Sequence, residues 1–316
     1  MTAVFLTIDT EFAWRHHQAG YGFDEISRRS LEPAGVGLSY QLATLKEYGL
    51  KACFFVDPMP ALTYGLDAIR RMVAPILEAG QEVQLHLHPN WTATRPGDRG
   101  AANVRFELND YSAEEQLGLI AGAAELLVAA GAPRPVAFRA GSYAADDRTL
   151  AALAEIGFLY DSSHNGAHQP WPGRISLPSR CIAPLERHVI EVPVTVIEDA
   201  PGSLRTAQIC ALSTGEMRAL LDHATEERHA AVTIVSHSFE LANRDGTRAN
   251  RVHVRRFKTL CATVAERRDV LPTAHFADRP VLELGRADAP LARIGLRRRW
   301  RQAEQLWSNW VEERAT

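Results

Sequence analysis

Apolar runs and helical periods alternate along most of this 316-residue chain. "AVFLTID" (3–9), "KACFFV" (51–56) and the stretch 82–88 are short and mostly apolar, the pattern of strands covered on both faces. Helical periods fall at 32–48 and 66–79. Ser112 with Glu115 and Ser213 with Glu216 have capping-box spacing and open helices over 113–130 and 214–228. Further strands are expected at 136–141, 158–163, 188–198 and 230–239, with helices at 146–156 and 251–267 and a short apolar piece at 269–273. Residues 164–188, rich in Pro, Gly and His, read as a long loop. About seven βα units without an internal repeat predict an α/β, barrel-like domain over 1–280. Residues 281–316 form an extension containing "LARIGLRRRWRQAEQLWSNWVEE", an amphipathic helix with basic and tryptophan-bearing faces. Such a helix is expected to dock on the domain, or on a second copy in a homo-oligomer. A membrane-surface role is the weaker expectation, because glutamates dilute the basic face.

The bulk properties narrow the function classes. With 46% hydrophobic and 23% charged residues the chain is an ordinary folded protein. A net charge of -3 gives no reason to expect a nucleic-acid partner. No segment approaches about 18 uninterrupted apolar residues, so no transmembrane span is expected. The N-terminal "MTAVFLTIDTEF" has neither a basic start nor a long apolar run. Cys53, Cys181, Cys210 and Cys261 are scattered without a CxxC pair, favouring reduced thiols and a cytoplasmic location.

Polar residues gather where the strands end, the place where barrels of this kind keep their chemistry. Asp9 and Glu11 close the first strand two residues apart and so point to one side. His86 and His88, in "EVQLHLHPN", share a face in the same way, and imidazole is the commonest metal ligand. "VAFRAGSY" delivers Arg139 and Tyr143, "FLYDSS" delivers Asp161, and "VTIVSHSFE" delivers His237. Singly, each has a bland reading as a cap, a packed histidine or a paired arginine. As a set they require partners, since an unpaired buried charge costs several kcal/mol.

In this order the motifs resemble those of the polysaccharide deacetylases, the NodB-homology carbohydrate esterases, over roughly residues 4–240. "TIDTE" resembles the family's Thr-Phe-Asp-Asp, and "GQEVQLHLHPN" its Gly-His-Glu-Ile-Gly followed by His-Ser/Thr-x-x-His. "FRAGSY" resembles Arg-x-Pro-Tyr, "YDSS" stands where Asp-x-x-Trp is found, and "IVSHS" resembles Leu-x-His. The resemblance implies an irregular (β/α)7 barrel and hydrolysis of an N-acyl group, typically acetyl, on an amino sugar. Departures are visible: Thr10 replaces the family's second aspartate, Asn90 its second histidine, and Ser142 the proline of the third motif.

Carried onto this chain, the resemblance implies a divalent cation held by Glu11, His86 and His88, with Asn90 as an additional or alternative ligand. Zinc is the first choice, and cobalt, nickel or iron satisfy the same donors. Asp9 becomes the general base, Arg139 its orienting partner, His237 the acid for the leaving amine, and Asp161 the aspartate that holds His237. The sequence leaves open the reverse assignment, Asp9 on the metal and Glu11 as base. Trp91 and Tyr143, with Trp14 and Trp171 in nearby loops, are expected to contact a sugar. The partner is thus a carbohydrate, with two alternatives: a small non-sugar amide, cyclic or formyl, or a decayed site that only binds carbohydrate.

Overall fold

The computed structural model describes residues 1–98 and 104–313. Its strands are β1 (Ala3–Thr10), β2 (Cys53–Val56), β3 (Glu82–Leu87), β4 (Ala137–Ala140), β5 (Tyr160–Asp161), β6 (Leu185–Glu186), β7 (Ile190–Glu191), β8 (Val196–Ala200), β9 (Ser203–Thr206) and β10 (Ala231–His237). Its helices are α1 (Trp14–Gln18), α2 (Phe23–Leu31), α3 (Leu38–Tyr48), α4 (Ala61–Tyr64), α5 (Leu66–Glu78), α6 (Ala113–Ala129), α7 (Asp147–Ile156), α8 (Thr214–Glu226), α9 (Arg251–Glu266) and α10 (Gly295–Trp307). One sheet runs β10-β1-β2-β3-β4-β5-β7-β6, parallel except for the β6–β7 pair.

The sheet curls into an irregular barrel. Beyond β7 the chain crosses toward β10: Val192 N donates to Asp161 O at 2.7 Å, and Thr195 N donates to Thr233 O at 3.1 Å. The expected strand over 188–198 is therefore two short pieces, because its middle leaves one neighbour to reach the other. Likewise 158–163 is regular only at Tyr160–Asp161, and 269–273 contributes no strand beyond a bridge from Thr273 to Val4. The helix expected from 32 begins at Leu38, after Gly37. A Cβ at Gly37 would lie 2.0 Å from Leu31 O, so only glycine permits this turn. Helices α1 and α2 have no counterpart among the expected elements. Both predicted capping boxes form, at Ser112–Glu115 and Ser213–Glu216.

Alternation along the strands separates two apolar layers. Val4, Leu6, Ile8, Phe54, Leu85 and Phe138 face the surrounding helices. Phe5, Cys53, Phe55, Ala137, Tyr160 and Val192 face inward, joined by Phe276. Phe276 stacks on Phe5 at 4.4 Å, and its N–H, with that of Ala277, donates to the Glu82 carboxylate at the start of β3. The lower end of the barrel is thereby filled with aromatic carbon. Each such buried phenylalanine contributes about 1.5–3 kcal/mol. The inward positions nearer the strand ends are polar: Thr7, Asp9, Gln84, His86 and Arg139 are all buried.

Candidate active site

The strand ends open into a cavity of about 170 Å³ lined by Asp9, Glu11, His86, His88, Ala140, Ser142, Tyr143 and His237. Three potential ligands meet on one side. Glu11 Oε2 lies 2.7 Å from His88 Nε2 and 3.7 Å from His86 Nε2, and the three ligand atoms fall within 4.8 Å of one another. His86 Nδ1 is bonded to Arg139 O at 2.8 Å, which leaves Nε2 turned toward Glu11. Burial pushes His86 down to about 4, keeping it neutral. Burial also opposes charge on His88, but the adjacent Glu11 carboxylate outweighs it and raises His88 to about 9. Glu11, in turn, is pushed up by burial and pulled far below the carboxylate range by His88 and then His86.

The His88 ring sits flat against the chain at Gly141. A Cβ there would stand 2.3 Å from His88 Nδ1, so the glycine is a condition of the histidine's position. The next two residues, Ser142 (φ 55) and Tyr143 (φ 60), occupy the left-handed region, which costs non-glycine residues about 1–3 kcal/mol each. Strain of this kind concentrates at sites where the backbone itself is used.

A second group faces the trio. Arg139, fully buried, donates from Nη1 to Asp9 Oδ1 at 2.7 Å and to Thr7 Oγ1 at 2.9 Å, and from Nε to Ser162 O at 3.1 Å. Its guanidinium lies 4.4 Å from the Phe55 ring centroid. This arginine reaches across the barrel and locks Asp9 in place by a charge-assisted bond. Asp9 Oδ2 in turn lies 3.9 Å from His237 Nε2, matching the β1–β10 register that sets Asp9 beside His237. His237 Nδ1 is 3.3 Å from Glu240 Oε2. Burial disfavours the imidazolium, yet Glu240, then Asp9 and Glu11, outweigh it and raise His237 to about 9. Glu240 is itself held at about 2, His237 overcoming the upward push of burial.

Three sequence expectations are corrected. Asp161 does not hold His237: β5 is separated from β10 by the 190–195 crossing, and its carboxylate accepts from Ser163 N (3.0 Å) and Ser163 Oγ (2.7 Å). It also pairs with Glu191, its neighbour in register, and burial pushes both carboxyls up. Glu240 takes the role at His237. Its signal was the "SHSFE" spacing, which places an acid three residues on, where the strand turns over. Trp91 is only 1% exposed and cannot face a sugar. It packs among Trp14 (5.0 Å), His17 (5.2 Å) and Tyr64 (6.0 Å). Asn90 is buried and does not line the cavity, whereas Tyr143 does. Trp171 is 53% exposed and is covered on one face by Arg174 at 4.4 Å.

No protein-family model matches this chain, and no curated protein matches it. Solved structures do. A Mycobacterium smegmatis protein assigned as a polysaccharide deacetylase aligns with a TM-score of 0.59 at 18% identity, over 91% of this chain and 94% of that one. Puue allantoinase aligns at TM-score 0.53 and 12% identity, over 88% of each chain. A 4-alpha-glucanotransferase from Thermococcus litoralis gives 0.51 and 10%, over 88% of this chain and 40% of the other. Likeness at such identities concerns architecture, and one architecture hosts several chemistries. In fold, this chain is an irregular (β/α)7 barrel of the polysaccharide deacetylase type.

Proposed function

We propose that this chain is a divalent-metal-dependent hydrolase that removes an N-acyl group, acetyl above all, from an amino sugar or a sugar-containing precursor. One observation carries the reading: Glu11, His86 and His88 face the Arg139–Asp9 and Glu240–His237 pairs across a single cavity. The donor set fits a cation. Two imidazole nitrogens and one carboxylate oxygen converge, His86 is oriented through its other nitrogen, and three protein ligands are the usual number at a catalytic zinc. Zinc is the first choice for these donors, and cobalt, nickel and iron share the preference.

When bound, such a cation supplies Lewis acidity and lowers the pKa of water from about 16 toward 7. Asp9, fixed by Arg139, takes the proton of the attacking water. His237, kept charged by Glu240, gives a proton to the leaving amine. The backbone of the Ser142–Tyr143 turn offers N–H donors to the developing oxyanion. Holding base and acid in place within one cavity removes much of the orientational cost of the reaction.

Elemental analysis and a deacetylation assay on N-acetylated oligosaccharides test the assignment together. His86→Ala is expected to lose both metal and turnover, and His237→Ala to lose turnover while keeping the metal. Equal metal in both variants would overturn these roles. The burial of Trp91 and the modest cavity favour a second reading, hydrolysis of a small non-sugar amide. Turnover of cyclic or formyl amides by protein inert toward N-acetylated sugars would select it.

A further inference from the structure

Helix α10 sits on the barrel with its polar side inward. Arg301, 4% exposed, forms ion pairs with Asp199 and with Glu216 (3.0 Å). Glu304 accepts from Arg255 at 2.5 Å and Arg256 at 3.1 Å, and buried Ser308 accepts from Asn250 Nδ2 at 2.8 Å. The sides turned to water carry the carbon. Leu296 is 80% exposed, Trp300 65%, Leu306 67% and Trp307 59%. Leu296, Trp300, Ala303 and Trp307 recur at steps of four, three and four residues, so they form one stripe along the helix. A contiguous apolar stripe left in water is the usual mark of a surface with a partner.

Charge selects the partner. Glu304, Glu312 and Glu313 all lie on the docked side: Glu304 is bonded to Arg255 and Arg256, Glu312 lies 3.9 Å from the Arg248 guanidinium, and Glu313 accepts from Asn250 and the Arg244 N–H. Exposed Arg297 and Arg299 have no carboxylate within ion-pair distance among the described residues. The outward surface is therefore tryptophan and leucine beside the guanidinium of Arg299, with exposed Arg297 at the edge of the docked side, four residues before Arg301. A second copy packed stripe to stripe would bring these cations no free carboxylate from its own helix, since Glu304, Glu312 and Glu313 are turned to the barrel. A bilayer rich in anionic lipid meets both features, with phosphates for the arginines and an acyl boundary where tryptophan rings settle.

We propose that Gly295–Trp307 is a membrane-surface docking element, its Leu296, Trp300 and Trp307 stripe lying at the headgroup boundary of an anionic bilayer with Arg297 and Arg299 against lipid phosphates. This stands independently of the hydrolase reading. Glu313 lies against the loop after β10, accepting from Arg244 N–H and from Asn250 Nδ2.

The test uses the full chain and co-sedimentation with two vesicle types, pure phosphatidylcholine and equal parts phosphatidylcholine and phosphatidylglycerol. Binding is expected on the mixed vesicles alone, and it should weaken at high salt. The double variant Trp300→Ser/Trp307→Ser is expected to bind at least about tenfold more weakly. Arg297→Gln/Arg299→Gln should lose most of the salt dependence. Urea unfolding midpoints close to that of the parent protein verify that both variants are folded. Absence of binding to the mixed vesicles overturns the proposal, as does undiminished binding by the tryptophan variant. So does a dimer by light scattering that dissociates in the tryptophan variant, which would give the stripe to a second copy.

Discussion

The barrel mouth and the C-terminal helix both bury an arginine, yet they treat carbon in opposite ways. In the mouth, Arg139 is sunk among Phe55, Asp9 and Ser162, and the aromatic rings below it are sealed from water. On the helix, Arg301 is buried against Asp199 and Glu216 while Trp300 and Trp307 stand in solvent. Residue class does not decide what is buried; available partners do. A carboxylate reached at the right distance makes an arginine an interior residue in either place.

Four perturbations sharpen this contrast. The largest effect belongs to Arg139→Met, which strands Asp9 without its cation. It should lower stability by about 3–5 kcal/mol in urea unfolding, with deacetylation lost. A loss below 1 kcal/mol would show that the pair is not the anchor of the mouth. Asp9→Asn keeps the shape and removes the proposed base, so turnover should fall by about a hundredfold to ten-thousandfold with bound metal unchanged. Gly141→Ala pushes a methyl into the His88 ring, and metal affinity measured by competition with a chelator should weaken about 10–100-fold. On the helix, Trp300→Ala should change stability by less than about 0.5 kcal/mol, because its ring is not packed against the barrel. A loss comparable to that of a core aromatic would mean that the stripe is covered within the folded chain.

pH dependence gives a further handle. The acid form of His237 persists until pH passes about 9, so activity that needs its proton should fall above that value. Glu240 supplies the leading stabilisation of the charged ring. Glu240→Gln should therefore move the alkaline limb of the rate profile to lower pH while leaving metal content intact. An unmoved limb would detach the glutamate from the acid.

The architecture was readable in the chain wherever order was local. Strands of continuous apolar residues, the two serine capping boxes and the polar strand tips at Asp9, His86 and His237 depend on neighbours within a few residues. What needed the third dimension was misread. Asp161 closes an apolar strand as convincingly as Asp9 does, and only the 190–195 crossing shows that it lies beyond reach of His237. Trp91 resembled a sugar platform because α1 and α4, which cover it, have too few turns to leave a clear period. In the C-terminal helix the amphipathic pattern was plain, but not which side turns inward. The glutamates thought to dilute its basic face instead lie against the barrel, drawn by arginines 49 residues upstream, in the case of Arg255 and Glu304, and by a backbone N–H 69 upstream, for Arg244 and Glu313.

Phe276, wedged against Phe5 and Tyr160, gives the barrel a stopper. With the base packed, the cavity lies at the strand ends, and the substrate of the proposed reaction would meet Ser142 and Tyr143 there. A bulky side chain placed at Ser142 is then expected to hinder that reaction from the rim while leaving the aromatic base untouched.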